Sequence, residues 1–361
     1  MAETLQPVGL TPPGAARRPL LGYAPALTLA LFLLPIAAGL IGTWLPAFGY
    51  LPALGHDALS LAPWRQLLAY PGLDGSLRLT LVSGVVATVV SFALTIAFLA
   101  ACHGTRLFAA LRRLLAPLLS VPHAALAIGF AFLIAPSGWL ARLVSPWATG
   151  WDIPPDIASL QDPYGLALAG GLVLKETPFL LLMSLAALDQ AQARERLAVA
   201  RSLGYGPVAA WLKTVLPAIY PQIRLPIYAV LAFSLSVVDM AIILAPATPP
   251  PLAVQIFRWF NDPDLSLRLV AAAGAGLQLL LVIAAILGWR ALELAVARLG
   301  RLWLTSGRRG GGGRAAGIGA GAGMLAVFAL AGGALAALAL WSLARRWRYP
   351  SALPDSWTLD T

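Results

Sequence analysis

Four ionisable side chains stand well inside runs that are largely apolar: Lys175 and Glu176 side by side in one, Asp239 in the next, and His123 after Pro122 near the start of an earlier one. A charge at bilayer depth costs about 2.5–3.5 kcal/mol on insertion scales, so each must face protein or water rather than lipid. Two kinds of chemistry fit. Glu176 and Asp239 can meet a cationic or hydroxylated solute along a pathway, and with Lys175 and His123 they can relay protons, as an ion-coupled secondary transporter requires. Alternatively they lock helices together, Lys175 pairing with Asp239 or Glu176 while His123 sits as a satisfied core histidine; the residue types favour the pairing. No catalytic constellation is legible. A single cysteine, Cys102, excludes an intrachain disulfide and a multi-cysteine metal site. The three histidines are far apart, so no metal site is expected, and no Gly-Lys dipeptide occurs from which a phosphate-cradling loop would be built. The expectation is a chain that is not an enzyme, binds no cofactor itself, and leaves any ATP hydrolysis to a partner.

The elements that must position these residues are membrane helices. Hydrophobic residues make up 59% of the 361-residue chain and charged residues 11%, with a mean hydropathy of +0.80. Soluble domains carry roughly a quarter charged residues. The fold class expected is therefore an all-α polytopic transmembrane bundle, because in lipid only a helix satisfies its own backbone alone. Six spans are expected at about 26–45, 79–101, 114–136, 164–188, 222–246 and 269–289, forming a domain over 26–305. The formal charge of +10 would suggest nucleic acid in a soluble protein, but the basic residues cluster after every second span, at 17–18, 103–113, 194–213 and 290–314. The positive-inside rule then places those stretches, and the N-terminal segment 1–25, in the cytoplasm of a bacterial inner membrane. Charge here reports topology, and no nucleic-acid partner is expected.

After the sixth span the pattern changes. Residues 306–317 contain Gly310 to Gly313 between arginines and read as a flexible linker. A seventh apolar run, 318–343, follows, and its tail to residue 361 echoes the first span: Asp57 follows Trp44 by 13 residues, and Asp355 follows Trp341 by 14. Residues 318–361 are expected to open a second half, like the one formed by the first six spans, whose remainder is missing.

One polar interruption stands apart, Ala193 to Pro217. Arg194 to Leu203 has good helix formers, with Leu197, Ala200 and Leu203 forming an apolar edge. Gly204 and Gly206 permit a turn, and Pro207 can open a second short helix, Val208 to Val215, with Trp211 facing inward. The expected form is helix, turn, helix, projecting as a docking surface.

The run Val199-Ala200-Arg201-Ser202-Leu203-Gly204, followed by Leu216-Pro217, resembles the EAA loop of ATP-binding-cassette (ABC) importer permeases of the binding-protein-dependent type. Ala200, Gly204, Leu216 and Pro217 match its pattern, while Ala198 replaces the glutamate, Val199 the first alanine and Thr214 the isoleucine. Glu195, just under a turn upstream of Ala198, is the acid available in its stead. Ser120-Val-Pro-His-Ala-Ala, Ala135-Pro-Ser-Gly-Trp-Leu and Val237-Val-Asp-Met-Ala are similar to the double-length, YnjC-type branch, related to thiamine, ferric-iron and sulfate importers. The resemblance implies a six-helix type I importer core. Its loop, including Glu195, Ala198, Ala200, Arg201, Gly204, Gly206, Leu216 and Pro217, would couple to a cytoplasmic ABC ATPase subunit that uses the ATP. It also implies a second permease half, either another copy or the missing C-terminal half, and an extracytoplasmic solute-binding protein.

Overall fold

In the computed structural model the described residues are 23–311 and 313–359, so the segment 1–25 with Arg17 and Arg18 lies almost wholly outside them. What is described is almost entirely helical, and seven helical segments are long and apolar enough to cross a membrane.

Helix α1 (Ala24–Ala47) is the first crossing. Along its apolar centre it buries nothing. It meets the rest of the chain at its far end, where Trp44 stacks on Phe48 at 5.9 Å and Phe48 lies 6.1 Å from Trp64 of the short helix α2 (Ala62–Leu68). The long α3 (Leu73–Cys102) is central, packed by α7 (Leu166–Gln190) and α10 (Leu216–Ser236). Its buried face is lined with small polar residues. Thr80, Ser83 and Thr88 each donate a hydroxyl to the carbonyl four residues back at 2.7–2.8 Å, so they sit in the core at little cost and let neighbours approach.

The run expected as one span over 114–136 is two helices. A surface helix, α4 (Arg106–Ser120), turns Phe108, Leu111 and Leu115 inward and its arginines outward. The crossing begins only at α5 (His123–Ile134) and ends in α6 (Trp139–Val144). Pro122 is the cause: it has no N–H to continue the ladder, and it holds Val121 extended at φ −71°, ψ 132°. The fifth crossing also differs from its expected bounds of 222–246. It starts at Pro207, runs through α10 to Ser236, breaks at Val237, which is extended, and resumes as α11 (Asp239–Leu244). A short helix, α12 (Leu252–Phe260), leads to α13 (Leu267–Thr305). At 39 residues α13 is about 58 Å long, nearly twice the hydrocarbon thickness, so its last turns stand clear of the bilayer.

Helix α14 (Arg314–Leu343), the seventh crossing, packs against α3 and α5. The contact is close enough that a side chain on Gly129 of α5 would collide with the carbonyl of Ala334. Beyond it β1 (Ala344–Arg346) pairs antiparallel with β2 (Ser356–Trp357). Arg142 of α6 fastens this tail, donating to the carbonyls of Arg348 at 2.8 Å and Ser351 at 3.2 Å beneath the rings of Trp347 and Tyr349.

Candidate functional site

The four intramembrane groups lie near the two helix breaks, and Lys175 does not take the expected acidic partner. Ending α4 at Ser120 frees carbonyls that no residue of their own helix can satisfy. The Lys175 ammonium, from the middle of α7, donates to those of Leu118 and Leu119 at 3.1 Å each and to that of Val121. Three oriented acceptors match its three protons and suit a positive charge at a helix C-terminus. The expected pairing of Lys175 with Asp239 or Glu176 is therefore not among the ion pairs of the described residues. The break in the fifth crossing is met the same way. Gln278 of α13 donates its amide to the carbonyl of Leu235 at 3.0 Å, a residue that the sequence reading did not single out.

Glu176, one residue on from Lys175, is turned about 100° around the helix. Its Oε1 lies 3.8 Å from Nε2 of His123, which is half-buried and set against Phe233 at 4.8 Å between centroids. Asp239 is apart from this group. It opens α11, accepts from the N–H of Met240 at 2.8 Å, and is exposed. The structure thus joins His123 to Glu176, gives Lys175 to the backbone, and leaves Asp239 free at the second break. Since α11 packs on α5 and α7, both breaks and both acids lie in adjoining elements.

The interruption at 193–217 forms helix, turn and helix. Helix α8 (Ala193–Ser202) buries Ala193, Leu197 and Ala200. Leu203 does not complete the edge; it is 58% exposed because the helix has ended and the turn begun. Gly204 takes φ +82°, with its N–H and that of Tyr205 returning to the carbonyls of Arg201 and Ala200, a left-handed cap that a Cβ would strain. Gly206 precedes Pro207, which starts α9 (Pro207–Ala210). The second helix does not stop at Val215 as expected. A π turn over Trp211–Val215 carries it into α10, absorbing Pro217, whose ring offers no N–H to the preceding turn. Trp211 is fully buried and anchors the turn. Arg194, Glu195, Ala198, Val199, Arg201, Ser202 and Leu203 remain on the open face.

Two features beside this loop escaped the sequence reading. Residues 306–311, expected as a flexible linker, lie across the turn: Gly206 donates its N–H to the carbonyl of Arg309 at 2.9 Å, and Lys213 reaches the carbonyl of Ser306 at 2.8 Å. Glycine permits that approach. A side chain on Gly206 would strike the carbonyl of Gly311, and one on Gly310, at φ +71°, would come within 2.8 Å of the Ala209 Cβ.

The second is a buried acid. Glu293 of α13, whose side chain is 5% exposed, accepts from Tyr220 at 2.7 Å, Tyr228 at 3.1 Å and Arg290 at 2.7 Å, and forms an ion pair with Arg224 at 3.1 Å. Tyr220, Arg224 and Tyr228 recur every four residues on one face of α10, a spacing that a search for polar stripes would find.

Between the ends of α3 and α7 and the start of α8 lies a cavity of about 450 Å³ lined by His103, Arg112, Asp189, Arg194 and Glu195 among others. Burial, then Arg194 and Arg201, hold the His103 imidazole below its ordinary value of 6.5, while Asp189 pulls the other way. The unfolded chain then binds this proton more readily than the folded one. Stability should be unaffected at high pH, decline as pH falls through 6.5, and level off below the lowered folded value. Melting curves of wild type and His103→Gln on either side of that pH check this; an identical decline in the variant would count against it.

No family model matches the chain. Over 246 residues it is 32% identical to the inner membrane ABC transporter permease protein YnjC of Escherichia coli (strain K12), covering 67% of this chain and 46% of that protein. The chain therefore spans about half the length of the curated relative it matches.

Proposed function

We propose that this chain, which is homologous to YnjC-type inner-membrane permeases of ABC transporters, is a membrane-spanning permease subunit of an ATP-driven importer and lines part of its solute pathway. The observation that carries the reading is the helical loop at 193–217, in which α8 presents an open face and the second helix, from Pro207, runs through the π turn into α10 of the fifth crossing. A cytoplasmic ATPase subunit seated on that face would move α10 as it closed on ATP. The open residues Glu195, Ala198 and Arg201 make the contact, Ala200 and Trp211 hold the loop from beneath, and Gly204, Gly206, Leu216 and Pro217 give it its bend. The breaks at 121–122 and 237–238 act as joints, and the acids beside them, Glu176 and Asp239, with His123, face the pathway.

One pathway needs two such halves, so the proposal includes a second half, supplied by another copy or by further sequence like that beginning at α14. It also includes a six-span core preceding the seventh crossing, a binding protein that delivers solute from outside, and an N-terminus in the cytoplasm. Support for the orientation comes from the arginines flanking alternate crossings.

Gly204→Asp tests the reading. Aspartate tolerates the left-handed region at a cost of about 1 kcal/mol, so the loop should keep its form while its crown gains an acid. Membrane insertion, read from membrane fractionation and protease sensitivity, should match wild type while co-purification with the ATPase subunit is lost. Normal co-purification would reject the docking role.

A further inference from the structure

The glycine-rich connection between α13 and α14 is laid on the loop as a fitted strap, and its chemistry extends that surface. Three approaches admit only glycine: Gly206 against Gly311, Gly310 against Ala209, and Gly313 against Val208, where a side chain would meet Cγ2 at 2.6 Å. Both ends of the seat are fixed. Gly206 holds the Arg309 carbonyl, while Lys213 holds that of Ser306 and lies 4.8 Å over the Trp303 ring and 5.3 Å from that of Tyr205. A solvated spacer would need none of these contacts, and four consecutive glycines would be the least inclined of all residues to give up their freedom.

The result places charge. The Arg309 side chain passes within 3.5 Å of where a Gly204 side chain would begin, at the crown of the turn, and Arg308 precedes it, exposed. With Arg194 and Arg201 on the open face of α8 they form one basic surface in which Glu195 is the only acid of the helix. Neither Arg308 nor Arg309 forms an ion pair among the described residues.

We propose that the strap 306–311 is part of the ATPase docking surface, and that Arg308 and Arg309 bind an acidic patch on the ATPase subunit alongside the loop. This rests on the permease reading above. It accounts for the fitted glycines, because a seated strap holds Arg309 beside Gly204, and it gives the basic surface a partner of opposite charge.

The test uses the full chain in nanodiscs of neutral lipid, titrated with the purified ABC ATPase subunit encoded in the same genome. Arg308→Glu with Arg309→Glu should weaken binding by about tenfold or more. Arg298→Glu with Arg301→Glu, the same charge change on exposed turns of α13, should weaken it far less. Gly310→Val keeps every charge but unseats the strap; it should also weaken binding and should speed tryptic cleavage at Arg308 and Arg309. Wild-type affinity in the strap double variant, or a loss equal to that of the α13 control, overturns the proposal. So does a loss seen only in anionic-lipid nanodiscs, which would make the strap a headgroup contact. A wild-type chain that does not bind the ATPase at all overturns the loop reading and this one with it, whereas a binding wild type with unchanged strap variants removes the strap alone.

Discussion

Lys175→Met will destabilise the bundle by about 3 kcal/mol although it replaces a charge with an apolar side chain at membrane depth. Insertion scales alone point the other way, since removing a lysine from a span is favourable. The structure reverses the sign because the ammonium caps the carbonyls of Leu118, Leu119 and Val121, which α4 leaves open at the Pro122 break. A hydrogen bond from a charged group contributes about 1.5–3 kcal/mol, and carbonyls left without water or partner incur the full desolvation penalty. Thermal unfolding of the detergent-solubilised chain reads the effect directly. Lys175→Met should melt well below wild type, with faster proteolysis between α4 and α5. A variant as stable as wild type would show that the break has another source of donors.

The second large effect is expected at Glu293. Glu293→Ala leaves Arg224 and Arg290 without the carboxylate between them and strips Tyr220 and Tyr228 of their acceptor. Breaking a buried pair from one side costs about 3–5 kcal/mol, because the remaining charge stays behind uncompensated. Glu293→Gln keeps the shape and an acceptor oxygen, so it should lose less stability while still loosening α10 from α13. On the importer reading proposed above, and if the cluster transmits motion from the loop, uptake in Glu293→Gln should fall more than its melting temperature implies. Uptake that tracks stability alone would confine Glu293 to a structural role.

The number of crossings was legible because each is an apolar run far longer than any soluble strand or helix face requires, and the loop at 193–217 was legible because it interrupts two of them. The breaks were hidden for the same reason that the crossings were plain. A hydropathy reading averages over a window, and Val121-Pro122 and Val237-Val238 are apolar residues that leave the average unchanged while the backbone parts. The partners of Lys175 were out of reach too, since its acceptors are carbonyls, and a backbone oxygen has no letter in the sequence. Lysine beside glutamate, with aspartate in the next span, invites charge matching; geometry preferred three oriented dipoles. Glu293 lay among arginines near the end of a long apolar helix and was absorbed into the topology signal. Gly310 to Gly313 show the same ambiguity, since the residue that makes a chain pliant also lets two backbones touch.

The seat of α14 bears on how the protein is made. Its closest contact, Ala334 on Gly129, and the fastening of Arg142 to the Arg348 carbonyl, 206 residues along the chain, join the third crossing to the seventh. Helices enter the membrane in the order in which they are synthesised, so the groove between α3 and α5 stands open to lipid while three further crossings are completed. Among the described crossings this joint is therefore the last to close, and until α14 arrives its place falls to lipid chains, which α14 then displaces.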